Sequence, residues 1–260
     1  MYRSMKRGIP MNAPDYKAIF FDLDGTLLPI DMDQFLHDYF ESLRDFSEEH
    51  GFDADLMIKA VNMGVEDMFV TRDGRVNADR FWDTFENVSG GTRDDFEPVL
   101  MEFYQTAYTH LGDGVIPNPA ALRAVQACSD KGYTLYLTTM PLFPDIAVKE
   151  RLRWAGIDNP ELFDRITTYD NSTTTKPDTD YWQENVDEIG YNPSDILVVG
   201  NNTREDLSCL ELGCDAYLVL DWLIDPNDFD TTTVKNGTLA DFAQWCEEEL
   251  PDCSPDVNLP

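Results

Sequence analysis

AIFFDLDGTLL, residues 18–28, sets four apolar residues against two aspartates one residue apart, followed at once by Gly25 and Thr26. A short run of aromatic and β-branched residues without polar interruption predicts a strand covered on both faces. Such a strand presents polar groups at its end, and in open α/β sheets ligands sit just beyond the carboxyl ends of the strands. Asp22 and Asp24 fall at that end. Residues i and i+2 of an extended chain share a face, so the two carboxylates crowd each other. A shared proton or a hard cation relieves such crowding, and Mg²⁺ is the natural companion. Gly25 permits a sharp turn, and Thr26 adds a hydroxyl. A calcium loop is excluded: its glycine stands at loop position 6 and its first acidic ligand at position 1, and with Gly25 as that glycine the ligand position holds Phe20.

A chain of 260 residues has room for one large domain or for a core with an inserted module. Apolar residues make up 42% and aromatic residues 12%, as in a globular protein. The 50 acidic residues outnumber 19 Lys and Arg, for a formal charge of −31. That balance predicts no nucleic-acid partner and no anionic membrane surface, because both require basic patches. It also gives weight to each cation near a site for an anionic substrate. The five cysteines, Cys128, Cys209, Cys214, Cys246 and Cys253, form neither a CxxC pair nor a zinc spacing, and their odd number argues against a disulfide framework. They read as reduced thiols of a cytoplasmic protein. Residues 1–14 lack an apolar stretch of signal-peptide length and read as a loose tail, and no run approaches the length of a membrane span.

Beyond Leu28 the pattern turns helical. Asp31 is the expected N-cap of a helix whose stripe is Met32, Phe35, Leu36, Tyr39, Phe40, Leu43 and Phe46, with Gly51 closing it. Further helices are expected from Asp53 to about Phe69, from near Asn77, and from about Asp94 to His110. Four helices without a strand signal predict a helical module over residues 30–112, between an α/β core of residues 15–29 and 113–260. Its cations Lys59, Arg72, Arg75, Arg80 and Arg93 are candidates to meet a phosphate, though solvated roles are the ordinary fate of such residues. From Pro117 helices and strands alternate: helix 119–130, strand 133–137, helix 145–155, a short strand near 165–168, helix 178–189, strand 196–199, helix 205–212, strand 216–220 and a closing helix 239–250. This alternation predicts a doubly wound parallel sheet of Rossmann-like form.

Four strand ends or following loops carry polar groups that could converge on one site: Asp22 with Asp24, Thr138 with Thr139, Lys176, and the run Asn201, Asn202, Glu205 and Asp206. DLDGT after an apolar strand, a threonine at the end of the next long strand, KP after a polar loop, and GNNTREDL after another apolar strand resemble the haloacid dehalogenase superfamily over about residues 16–222. The resemblance implies an HAD-like fold with an inserted all-helical cap. It implies Asp22 as nucleophile toward phosphorus, forming an aspartyl-phosphate, and Asp24 as the acid that protonates the leaving oxygen and then activates water. Thr139 is implied as the hydroxyl on a phosphoryl oxygen, with Thr138 and Thr26 beside the substrate and Thr138 taking that part if the register slips by one. Lys176 is implied as the counter-charge between nucleophile and phosphate. Mg²⁺ is implied on Asp22, the carbonyl of Asp24 and a side chain among Asn201, Asn202 and Asp206.

Two departures stand out. Met140 follows the motif threonine, at the edge of the substrate site, where relatives commonly have Asn. Asn201 or Asn202 stands where relatives have an acid, so the metal ligand there brings no charge, and Glu205 or Asp206 would have to compensate. Asp24 favours phosphate chemistry over carbon–halogen cleavage, since dehalogenase relatives lack an acid two residues after the nucleophile. The expectation is a Mg²⁺-dependent phosphatase of a small phosphorylated metabolite, with oligomeric state left open. A sugar-phosphate phosphomutase and an HAD-fold binding or regulatory protein with weakened turnover are the alternatives.

Overall fold

The computed structural model describes residues 15–253; the expected tail at residues 1–14 lies outside them. The strand β1, Ala18–Phe21, is buried along its whole length. Ile19 and Phe21 point into one hydrophobic cluster and Ala18 and Phe20 into a second, which is why the run shows no polar alternation. Full burial of such side chains contributes about 1.5–3 kcal/mol each for the larger ones.

Four helices follow β1: α1 Met32–Glu49, α2 Ala54–Val70, α3 Asn77–Ser89 and α4 Arg93–Gln105. Asp31 caps α1 by accepting from the Gln34 amide, and Asp53 caps α2 by accepting from the Leu56 amide. The expected fourth helix to His110 instead stops at Gln105 and resumes as a 3₁₀ segment, Ala107–Gly112. The Thr106 hydroxyl folds back onto the Glu102 carbonyl, and Tyr108 turns inward against Phe35 and Trp154. A straight helix would not place Tyr108 there.

The remaining elements are α5 Pro119–Asp130, β2 Thr134–Leu137, α6 Asp145–Trp154, β3 Arg165–Ile166, α7 Thr179–Ile189, β4 Ile196–Gly200, β5 Asp215–Val219, β6 Lys235–Gly237 and α8 Leu239–Glu248. All strands pair in parallel, in the order β3-β2-β1-β4-β5-β6. The sheet therefore reverses its winding beside β1, and ligand crevices open at such reversals. The strand β6 carries no apolar pattern, since Lys-Asn-Gly lies at a sheet edge and is held by its backbone bonds to β5. The expected helix over 205–212 is a 3₁₀ turn, Leu207–Leu212, because the side chains of Asn202 and Asp206 claim the backbone and space a first helical turn would need. Among the described residues no helix is long and apolar enough to cross a membrane.

The four-helix segment is bolted to the core by α3. Val76 offers no capping side chain, so the first amides of α3 are satisfied from across the interface: Asn77 N donates to Ser172 O and Ala78 N to Tyr169 O, both at 2.8 Å. The Asn77 side-chain amide then donates to Pro141 O at 3.1 Å and Thr174 O at 3.0 Å. One fully buried residue thus ties together the loop after β2 and the loop leading to Lys176. Arg80, also fully buried, bonds Thr173 O at 2.6 Å, Arg75 O, Asp73 and the Asn77 side-chain oxygen. Asn77→Ala leaves two buried carbonyls without donors and is expected to cost about 2–3 kcal/mol in urea unfolding. A loss below about 0.5 kcal/mol would show that water replaces the amide there.

Candidate active site

The sheet ladder continues one residue past β1: Asp22 N donates to Val199 O at 2.9 Å, and Thr138 N to Phe21 O at 2.7 Å. The backbone is therefore fixed where the first carboxylate leaves it. Asp22 Oδ1 accepts from Lys176 Nζ at 2.9 Å, and Asp22 Oδ2 accepts from the Thr26 hydroxyl at 2.8 Å. Lys176, 1% exposed, also donates to Asp206 Oδ1 at 2.6 Å. Burial works to strip its proton, but Asp206 and Asp22 outweigh burial and lift it well above the usual lysine range.

The loop after β4 supplies the opposite wall. Asp206 is buried, with Oδ1 on Lys176 and Oδ2 on the Asn202 amide at 2.9 Å. Gly200 makes room for it, since a Cβ there would stand 2.2 Å from the Asp206 carboxylate. Burial pushes the Asp206 carboxyl up against the pull of Lys176, and Asp22 adds to the rise. Glu205 beside it is raised to about 7 by burial, opposed by Lys176 and reinforced by the charges of Asp206 and Asp22. Two carboxylates thus hold one ammonium, with Glu205 close enough to feel all three charges.

The two asparagines separate. Asn202 Oδ1 accepts from the Arg204 and Glu205 amides and so closes its own turn. Asn201 faces the loop after β1: its Nδ2 donates to Trp222 O at 2.6 Å and its Oδ1 lies 3.1 Å from the Thr26 hydroxyl. That hydroxyl has a single proton for Asp22 Oδ2 and Asn201 Oδ1 together. Gly25, at φ +80°, lets the two loops meet, since a Cβ there would stand 2.2 Å from Asn201 Nδ2. Surplus oxygen lone pairs beside surplus negative charge form a donor set that fits a hard divalent cation.

Asp24 has a different environment. Its Oδ2 accepts from Arg151 Nη1 at 2.6 Å and lies 3.4 Å from the Thr139 hydroxyl, whereas its Oδ1 is buried without a partner. Burial raises its pKa, Arg151 opposes that rise, and Asp22 adds to it. Thr138 turns the other way, its hydroxyl contacting Phe21 O at 3.3 Å. Met140 is half-buried at the start of the loop that runs toward Phe143.

None of the five singled-out cations of the helical segment is set against Asp22. Arg72 pairs with Asp178, Arg75 with Asp73 and Asp83, Arg80 with Asp73 and Arg93 with Glu97, and Lys59 is exposed. The cation that does enter the site, Arg151, was not singled out from the sequence. Its signal was there: it follows Ala147 and Val148 on the apolar face of α6, a place where a charge needs a partner.

The model of the haloacid dehalogenase-like hydrolase family matches residues 16–211. The chain belongs to this family. No curated protein matches it. Among solved structures, a predicted phosphoglycolate phosphatase from Haemophilus somnus is similar over 89% of this chain and 98% of its own, with 20% identity and a TM-score of 0.53. An HAD phosphatase from Thermococcus onnurineus shares 18% identity over 88% of this chain and 96% of its own, with a TM-score of 0.53. L-2-haloacid dehalogenase from Xanthobacter autotrophicus shares 15% identity over 90% of this chain and all of its own, with a TM-score of 0.52. These likenesses establish the HAD-like fold.

For this HAD-like hydrolase, Glu205 gives a pH signature. Its carboxyl is raised from 4.5 to about 7, so the folded chain keeps a proton that the unfolded chain has lost. Stability from this group is full below about pH 4.5 and drains away as pH rises toward 7. Glu205→Gln removes that loss. In metal-free buffer its advantage over wild type in urea unfolding is expected to grow from pH 4 to pH 8, reaching on the order of 1–3 kcal/mol. A pH-independent difference would contradict the assigned environment.

Proposed function

We propose that the protein is a Mg²⁺-dependent phosphatase of a small phosphomonoester, acting through an aspartyl-phosphate on Asp22. The observation that carries this reading is the contrast between the two aspartates. Asp22 accepts hydrogen bonds from Lys176 and Thr26 on its two oxygens, whereas Asp24 is half-buried, raised in pKa, and has one buried oxygen with no partner. A carboxylate held by donors suits a nucleophile, and a carboxyl whose pKa burial raises suits a general acid.

In the first step an oxygen of Asp22 attacks phosphorus, and the ester oxygen leaves with the proton of Asp24. In the second, the Asp24 carboxylate takes a proton from water as that water attacks the aspartyl-phosphate, which releases phosphate and restores both acids. The hydroxyl of Thr139, beside Asp24, would meet a phosphoryl oxygen. Lys176 offsets charge beside the nucleophile. Asp22, the backbone carbonyl of Asp24 and the Asn201 side-chain oxygen would hold Mg²⁺, which supplies positive charge to the transferring group. Asn202 and Asp206 serve this arrangement indirectly, by closing the turn and by seating Lys176.

A small substrate is supported by the space between helices and core. A cavity of about 260 Å³ lies among Tyr39, Phe81, Trp82, Tyr104, Phe143 and Tyr169. The Phe143 ring that lines it also lies against Arg151, which bonds Asp24. Closure by such a segment excludes water from the transfer.

Release of phosphate from p-nitrophenyl phosphate is expected to require Mg²⁺, to be abolished in Asp22→Asn, and to fall about 10²–10⁴-fold in kcat/KM in Asp24→Asn. Wild-type protein inert with Mg²⁺, or Asp22→Asn as active as wild type, would defeat the reading. Asn201→Asp adds a charged ligand where Asn202→Asp leaves the turn-closing acceptor in place. Titration of activity with Mg²⁺ is therefore expected to show tighter half-activation for Asn201→Asp than for Asn202→Asp, and the reverse order would move the ligand to Asn202.

A further inference from the structure

Arg151 is 1% exposed on α6, packed with Ala147, Val148 and Leu152. Only Nη1 makes a hydrogen bond, to Asp24 Oδ2 at 2.6 Å, and Nε and Nη2 have no partner. The guanidinium instead lies over the Phe143 ring, 4.5 Å from its centroid, and within 5.9 Å of the Phe35 centroid. Burying a guanidinium with most of its donors unused is costly, and an apolar side chain would pack the same space without that cost. The arrangement therefore has to be explained by the one contact it makes.

That contact fixes how the Asp24 carboxyl is turned. Arg151 and Thr139 both approach Oδ2. Oδ2 is thereby occupied, and Oδ1 is the oxygen left with no partner. The aromatic faces of Phe143 and Phe35 limit where the guanidinium can move, and the guanidinium limits rotation of the carboxyl about its Cβ–Cγ bond.

We propose that Arg151 is a positioning residue that locks the Asp24 carboxyl with Oδ1 aimed at the leaving oxygen. The inference rests on the phosphatase reading above. As the ester P–O bond breaks, the leaving oxygen takes the Oδ1 hydrogen and the electron pair of the O–H bond stays on Asp24. Arg151 faces the carboxylate so formed, and Asp24 regains its proton from the attacking water. In this role the guanidinium acts through Asp24 and contributes no atom to the reaction.

The test compares two esters on the full chain with Mg²⁺: p-nitrophenyl phosphate, whose leaving group needs little protonation, and 2-phenylethyl phosphate, whose alkoxide needs it fully. Arg151→Met is expected to lower kcat/KM for the alkyl ester about 10²-fold or more and for the aryl ester less than about 10-fold, the same imbalance as Asp24→Asn. Arg151→Lys, which keeps the charge, is expected to restore part of the alkyl activity. Equal losses on the two esters, or no loss on either, overturn the proposal and leave the phosphatase reading intact. Should Arg151→Met fail to fold by circular dichroism, Arg151→Lys carries the same comparison: an unequal loss supports positioning and an equal one overturns it. Wild type turning over neither ester overturns the phosphatase reading and, with it, this proposal.

Discussion

The ammonium of Lys176, buried between Asp22 and Asp206, is the contact on which the arrangement of the site depends. It joins three segments far apart in sequence: the end of β1, the loop before α7 and the loop after β4. Two carboxylates around one buried cation leave net negative charge in a region of low dielectric, and Glu205 adds to it. Removing a partner from such a set is far more damaging than its net contribution suggests, because the remaining charge stays buried. The hydrogen bonding of Asp22 and the surplus negative charge around it therefore have one origin.

A second buried cation serves the other aspartate. Lys176 bonds Asp22 and Arg151 bonds Asp24, so the two acids, two residues apart on one loop, have different hydrogen-bond partners. Through Phe143 the second pair also touches the helical segment, since that ring packs against Phe35 and Tyr39 of α1. Placement of the four helices and orientation of the acid are thereby linked through packed side chains. The Asn77 and Arg80 bonds to the loop over residues 169–174 fix the same interface from the other side.

The α/β order and the polar strand ends were legible because both are local: a run such as AIFF has to be buried, and the polar residues directly after it have to sit at the sheet's edge. The edge strand β6 was not, because three polar residues become a strand only when β5 offers them hydrogen bonds. Side-chain direction was equally hidden. Thr138 and Thr139 are equivalent in sequence, and only the sheet register turns one hydroxyl to the Phe21 carbonyl and the other toward Asp24. Asn77 reads as an ordinary polar residue at a helix start, yet its partners are core carbonyls 64 and 97 residues away. Arg151 is the instructive case, since a lone charge on an apolar helix face announces a buried partner without naming it.

The asparagine at position 201 follows from the same electrostatics. A carboxylate there would face Asp22 across the Thr26 hydroxyl, adding a like charge where one proton already serves two acceptors. Without a cation that charge would push the loop after β4 away from Gly25, where the two segments meet with no room for a Cβ. An amide keeps the oxygen and gains a donor, which Asn201 uses on the Trp222 carbonyl to pin the loop. The two loops are thereby held together by neutral hydrogen bonds rather than by charge.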